Sequence, residues 1–279
     1  HDPFPKYNDY LREQGFEGDN PWEDWANSAE GPNGELLSGW YLENSKYPAR
    51  IPAEHSETAY ITGRAIDFME EASDDPWCLH LSYIKPHWPY MAPAPYASMY
   101  GPEDTYSPIR SETEKNDPHS VFGAFINQRV SQTMSREEVR NSVLPGYMGM
   151  IKQIDDEIGR LLKYMESKDL MDNTMIVFTS DHGDYLGDHW MGEKDLFHEP
   201  SVHIPLIVYD PSTAADKTRG MVCDELVEAV DLAPTFVEAI GGYPQPHIFD
   251  GRALQPLLHG EKVDDWRSYV ISEYRSEER

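Results

Sequence analysis

At 279 residues, of which 39% are hydrophobic and 26% charged, the chain is long enough for one large α/β domain or two modest ones, with a sizeable core. Its 50 acidic residues against 23 basic ones leave a formal net charge of −27, which argues against nucleic acid or an anionic membrane surface as the main partner; no apolar run reaches the roughly 18 residues of a membrane span. Two cysteines, Cys78 and Cys223, indicate no disulfide framework, so the compartment stays open with the cytoplasm as the default reading.

The chain starts on histidine and reads as an interior point of a longer protein. Its first stretch, HDPFPKYNDYLREQGFEGDNPWEDW, is acidic and aromatic, with a short helical pattern around Tyr7, Tyr10 and Leu11; it reads as surface elaboration. Asn27 to Pro52 is rich in Gly, Asn, Ser and Pro and is expected to be mostly loop. From Ser56, a candidate N-cap, the pattern turns helical, with Ile61, Ala65, Phe68, Met69 and Ala72 on one face and Asp74, Asp75 and Pro76 as the stop. Trp77 to Tyr83 alternates as a strand would, which after a helix implies a parallel crossover, and His80 inside it reads as a packed histidine. The turn KPHWPY then presents His87 between prolines, with Lys85 expected in solvent.

Residues 92 to 118 carry five prolines and read as loop, and 119 to 133 are ambiguous. Ser135 and Glu138 match a capping box opening a helix that Pro145 and Gly146 interrupt. A longer amphipathic helix is expected from about Tyr147 to Ser167, its apolar face being Tyr147, Ile151, Ile154, Ile158, Leu161, Leu162 and Met165. The acids Asp155, Asp156 and Glu157 are consecutive, so they point around that helix and read as a solvated face. Met175 to Phe178 is a short apolar run expected of a strand buried on both faces. It stops at Ser180, Asp181, His182 and Gly183, placing a carboxylate and an imidazole where the strand leaves the sheet. That pairing suits a divalent cation such as zinc or manganese, although two adjacent ligands make only half a site. The loop that follows, through Gly187, Asp188, His189, Gly192, Glu193 and Lys194, is longer than a connector requires and concentrates ionisable groups. Ile204 to Tyr209 reads as a second buried strand. Glu225 to Ile240 reads as a helix with Asp231 as N-cap, Pro234 in its first turn and Gly241 and Gly242 as its stop; the acids of 224–231 read as capping and surface charge. The tail ends on a strand-like SYVISEY.

The run SDHGDYLGDHWMGEKDLFHEPSVHIPLIVYDP resembles the metal-binding signature of the sulfatases and phosphonate monoester hydrolases of the alkaline phosphatase superfamily. The segments ARIPAEHSETAYITGRAIDFM, LHLSYIKPHWPYMAPAPYASMYGPED, EAVDLAPTFVEAIGG and DGRALQPLL resemble the same family in the same order. The resemblance implies an alkaline-phosphatase-like α/β sandwich, with a mainly parallel central sheet flanked by helices. It implies residues 1–55 as a loop-rich elaboration, 56–258 as part of a catalytic domain, and 259–279 as the start of a smaller C-terminal subdomain.

Carried over residue by residue, the resemblance makes Asp181 and His182 metal ligands. Lys194 becomes the lysine bridging nucleophile and substrate oxygens, and His87 the histidine that contacts the transferred group. His189 and His198 are expected to support the pocket. The cofactor implied is one divalent ion: manganese, zinc or calcium. The substrate implied is a small anionic ester: a phosphonate monoester, phosphate diester or sulfate ester. Relatives commonly use a formylglycine made from the Cys of a C-x-P-x-R motif, or a Ser or Thr. Cys78 is followed by Leu-His-Leu and Cys223 by Asp-Glu-Leu, so the nucleophile is expected outside this chain, and the chain alone is expected to be inactive. The alternatives are a phosphotransferase of the same superfamily, or a non-catalytic metal- or anion-binding relative. A homo-oligomer is compatible with the acidic surface.

Overall fold

The computed structural model describes residues 5–73 and 75–273, and the chain divides into two units. The first comprises the described residues up to Met165 together with Asp184–Glu193; the second comprises Glu166–Gly183 and the described residues from Lys194 onward. The expectations placed on residues 1–4, Asp74 and 274–279 lie outside the described residues.

In the first unit, helix α1 (Pro5–Glu13) buries Tyr7 and Leu11, four residues apart, against Ala26, Ala29, Ala49, Ile51 and Met91. The segment read as surface elaboration therefore also supplies core residues. Strands β1 (Ser28–Glu30) and β2 (Leu36–Ser38) form a small antiparallel hairpin within the expected loop, Ser28 opposite Ser38. Ser56 caps α2 (Glu57–Ala72) as expected, its side chain accepting from the Ala59 amide. The buried stripe is Thr58, Thr62, Ala65 and Met69, while Phe68 is exposed. The Thr62 hydroxyl bonds back to the Thr58 carbonyl at 3.0 Å and meets the Tyr83 hydroxyl at 2.8 Å, so the stripe is held by small and hydroxyl side chains rather than by the largest apolar ones.

Residues 77–83 keep the expected alternation in burial, half-buried at Trp77, Leu79, Leu81 and Tyr83 and exposed between, yet they make no ladder among the described residues. His80 is on the exposed set, not packed. Helix α3 (Glu112–Asn116) forms inside the segment read as loop, its N-terminus capped by Ser111, and α4 (Ser120–Ile126) and α5 (Arg129–Met134) fill the ambiguous region.

Helix α6 (Glu137–Ser167) then runs 31 residues straight through Pro145. An interior proline costs about 3 kcal/mol. It is tolerated here because Val139, Val143, Leu144 and Met150 around it pack with Leu42, Tyr90, Ala92, Met134 and Leu186 into the main core of the unit. The expected capping box is not formed: the buried Ser135 hydroxyl has no partner, and Glu138 faces Arg136 instead. The apolar face is also rotated, since Ile151 is exposed while Met150 and Gln153 are buried. Asp155 and Asp156 do lie on a solvated face, paired with Lys152, whereas the Glu157 side chain is only 16% exposed and pairs with Arg160.

In the second unit, β3 (Ile176–Thr179) pairs antiparallel with β4 (Leu206–Tyr209), with Phe178 opposite Ile207. Both strands fall where the apolar runs place them. Burial on both faces is not reached among the described residues: Ile176, Val177 and Val208 are half-buried, and Phe178 and Ile207 are exposed. Helix α7 (Glu199–Val202) is a single turn, and α8 (Leu232–Ala239) follows a 3₁₀ turn at Ala229–Asp231, starting later than the sequence pattern suggests. It ends at Gly241, whose φ of 79° is the left-handed conformation that glycine adopts without strain. Helix α9 (Gln255–Leu258) is the last regular element among the described residues, and residues 268–273 of the strand-like tail make no ladder. Among the described residues no helix is long and apolar enough to cross a membrane.

Candidate active site

β3 ends at Thr179, and the next four residues make a turn bonded to itself. The Ser180 hydroxyl donates to the His182 carbonyl at 2.7 Å, and the His182 amide donates to Asp181 Oδ1 at 3.1 Å. His182 Nδ1 lies 2.8 Å from the Gly183 carbonyl. A carbonyl only accepts, so Nδ1 carries the proton of the neutral ring, and Nε2 is left with its lone pair. Nε2 faces Asp181 Oδ2 at 3.5 Å. Two electron-donor atoms facing each other at this distance suit a cation held between them: ligands about 2.0–2.2 Å from one ion stand about 3 Å apart. Donation of the other ring nitrogen to a backbone carbonyl is the usual second bond of a metal-binding histidine. The Asp181 side chain is 87% exposed, open to an ion from solvent. Among the described residues no group of three or more His, Cys, Asp or Glu could hold a metal.

Gly183 is required by close approach. A Cβ there would stand 2.0 Å from the Pro200 carbonyl oxygen, and the Gly183 amide donates to the Ser201 carbonyl at 2.8 Å. The buried Ser201 side chain in turn donates to the Lys194 carbonyl. Ser201 thus staples the Asp181-His182-Gly183 turn to Lys194 within the second unit. Nothing in periodicity or residue type marks it in the sequence. Lys194 is half-buried, and His198 occupies the N-cap position of α7 without a side-chain capping bond.

His87 and His189 belong to the first unit. The His87 ring is exposed, with Nδ1 2.7 Å from the Trp88 carbonyl, so its neutral tautomer is fixed in the same way as that of His182. His189 Nδ1 meets Glu114 Oε1 at 2.9 Å and its ring packs edge-on against Tyr185. The loop around His189 is also strained: Leu186, His189, Trp190, Glu193 and Leu196 all have positive φ, five of the seven such non-glycine residues in the described chain. Each costs on the order of 1–3 kcal/mol and persists only where surrounding structure enforces it, a pattern that gathers at functional loops.

Lys85, expected in solvent, is turned inward: its ammonium donates to the Pro89 carbonyl at 2.6 Å and to Asn27 Oδ1 at 3.3 Å. It closes the turn that carries His87. Burial pushes its pKa down to about 8, partly offset by the nearby Glu57 carboxylate. An unfolded chain keeps that proton to about pH 10.5, so between these values the unfolded state binds more protons and stability rises with pH. A shift of this size corresponds to about 3 kcal/mol. Tyr7, Tyr90 and Tyr147, held protonated in the fold, oppose the trend only above about pH 10. Urea midpoints of the wild type are therefore expected to climb between pH 7.5 and 9.5 and those of Lys85→Met to stay level; parallel curves would contradict the inward lysine.

A family model described as Sulfatase matches residues 5–243. Among curated relatives, a multifunctional alkaline phosphatase superfamily protein of Trinickia caryophylli is 35% identical over 240 residues, covering 81% of this chain and 46% of the relative. An arylsulfatase of Clostridium perfringens is 30% identical over 236 residues, covering 84% of this chain and 46% of its own. Among solved structures, phosphonate monoester hydrolases of Silicibacter pomeroyi and Agrobacterium radiobacter match with TM-scores of 0.83 and 0.81, at 28% and 27% identity. They cover 95% and 94% of this chain and 52% of each of theirs. The chain spans about half the length of the curated relatives it matches. Its fold is the alkaline-phosphatase-like α/β fold that the sequence reading expects, although the two ladders among the described residues, β1–β2 and β3–β4, are antiparallel rather than parallel.

Proposed function

The chain belongs to the sulfatase family, and on that premise we propose that it supplies metal ligands, a lysine and a histidine to the hydrolysis of a small anionic ester. The substrate classes proposed are sulfate esters, phosphonate monoesters and phosphate diesters. The observation that carries the reading is the Asp181–His182 pair, with Nε2 and Oδ2 facing each other at 3.5 Å and the opposite ring nitrogen tied to a carbonyl. These two residues would hold a divalent ion: manganese, zinc or calcium. When bound, that ion supplies polarisation of the ester oxygens and favours a deprotonated nucleophile. The nucleophile is proposed to lie outside this chain, because neither Cys78 nor Cys223 opens a C-x-P-x-R motif.

Lys194 carries a compact positive charge, suited to neutralising charge that develops on the transferred group. Ser201 fixes its backbone next to the metal-binding turn. His87, whose Nδ1 lies 2.7 Å from the Trp88 carbonyl, is proposed to hold or deliver a proton at an ester oxygen.

The test uses the full-length protein, with metal content by elemental analysis and turnover of aryl sulfate, phosphonate monoester and phosphodiester substrates. One metal per chain is expected, and the ranking of the esters identifies the substrate class. Lys194→Ala is expected to keep the metal and lose on the order of 10²–10³-fold in kcat, as removal of a charge-stabilising group does. Full activity in Lys194→Ala would remove the lysine from the mechanism, and a metal-free active enzyme would overturn the reading.

A further inference from the structure

Two residues that stand apart in the sequence, Tyr90 and Asp184, meet in the first unit. Tyr90 is the last residue of KPHWPY, the turn that carries His87, and Asp184 directly follows Asp181-His182-Gly183. The Tyr90 hydroxyl donates to Asp184 Oδ2 at 2.6 Å across a sequence separation of 94 residues. The other carboxylate oxygen, Oδ1, accepts from the Leu186 amide at 3.1 Å, closing a short turn at the start of the loop. Beyond it the loop is pinned again, the Tyr185 amide donating to the Glu193 carbonyl and the Gly187 amide to the Met191 carbonyl, both at 2.8 Å. Tyr90 is 1% exposed, and its ring packs edge-on against Tyr147 at 5.9 Å.

We propose that Tyr90 and Asp184 form a positioning pair for the metal-binding dipeptide, holding the chain where it leaves Gly183. The proposal rests on the reading of Asp181 and His182 as metal ligands. Gly183 is already fixed on one side by the Ser201 carbonyl and by the Pro200 oxygen that excludes any Cβ. The peptide bond to Asp184 is the other side. A carboxylate bonded at both oxygens, by a buried phenol and by a backbone amide, leaves that junction little freedom to swing. Less entropy is then lost when Asp181 and His182 close on an ion. Burial and the Asp184 carboxylate both keep the phenol protonated far above neutral pH, so the donor persists across the working range.

Tyr90→Phe keeps the packed ring and removes only the hydroxyl. Asp184→Ala removes the acceptor, and Asp184→Asn restores one. In the full-length protein, manganese affinity by titration calorimetry is expected to fall about 10-fold in Tyr90→Phe and in Asp184→Ala, the range typical when a residue supporting a metal ligand is lost. Asp184→Asn should recover most of it, and Tyr90→Phe combined with Asp184→Ala should be no worse than the weaker single variant. At saturating manganese, KM for the ester should move less than about 2-fold, the mark of a role in holding ligands rather than substrate. Unchanged affinity in Tyr90→Phe, or additive losses in the double variant, overturns the pair. Asp181→Ala is the control: if it still binds manganese, the ligand assignment itself fails; if it does not and Tyr90→Phe is unaffected, only the positioning pair does.

Discussion

Asp181→Ala is expected to abolish stoichiometric metal binding and to lower kcat by at least about 10³-fold, because a metal supplies several kcal/mol of charge stabilisation at the reacting group. The loss should be specific to this carboxylate. Asp188 lies only seven residues on but is 4% exposed, and its Oδ1 accepts from the Ile109 amide at 2.9 Å. Asp188→Ala is therefore expected to destabilise the first unit while leaving the metal in place. Asp181, 87% exposed, contributes little to packing, so its removal should leave the melting temperature of the metal-free protein within a degree or two of wild type. Elemental analysis, saturation kinetics and melting of the metal-free form separate the two carboxylates. Retention of both metal and activity in Asp181→Ala would reduce the segment after β3 to an ordinary turn.

What the sequence makes legible is what short-range chemistry decides. Ser56 is read as a cap because a hydroxyl before an apolar helical stripe has one favoured job, and the structure places it there. Asp155 and Asp156 of α6 are read as solvated because consecutive helical positions diverge, and both pair with Lys152 on an open face. Asp181 and His182 stand out because a carboxylate and an imidazole end an apolar run. Contacts distant in sequence leave no such trace. Lys85 reads as surface from its residue type, and only Asn27 and Glu57, from elsewhere in the fold, make an inward ammonium tolerable. Pro145 reads as a helix stop because the sequence does not display the core that packs around it. Ser201 and Tyr90 are silent for the same reason: their partners, Lys194 and Asp184, are joined to them by geometry and not by spacing.

Asp231→Ala is expected to cost about 3–5 kcal/mol, the penalty for stripping a buried cation of its partner. The sequence reads Asp231 as an N-cap with a surface charge. It does sit at the N-cap of α8, but it makes no side-chain capping bond and is fully buried. Oδ1 accepts from the Arg252 amide at 2.7 Å and from Arg267 Nη2 at 2.5 Å; Oδ2 accepts from the Glu228 amide at 2.8 Å and from Arg267 Nη1. Glu228 approaches the same guanidinium at 3.3 Å. The Thr235 hydroxyl, donating to the Asp231 carbonyl at 2.6 Å and accepting from the Leu254 amide at 2.9 Å, carries the network on to α9. One carboxylate therefore joins the turn before α8, the segment at 252 and the segment at 267. Removing it leaves Arg267, with a side chain only 10% exposed, to face Glu228 alone. Against a typical stability of about 5–15 kcal/mol, such a loss is enough to open the second unit well below the wild-type midpoint. Burial alone would raise the Asp231 pKa, but Arg267 and the two backbone donors outweigh it and hold the value below the usual carboxylate range. A carboxylate lowered in the fold stabilises above its unfolded pKa of about 4 and loses that contribution as acid protonates it. Wild-type stability should accordingly fall below about pH 4, with a shallower fall in Asp231→Ala. Urea unfolding read by hydrogen exchange of amides 229–258 measures both effects, and a cost under about 1 kcal/mol would show that Arg267 finds another partner or reaches water.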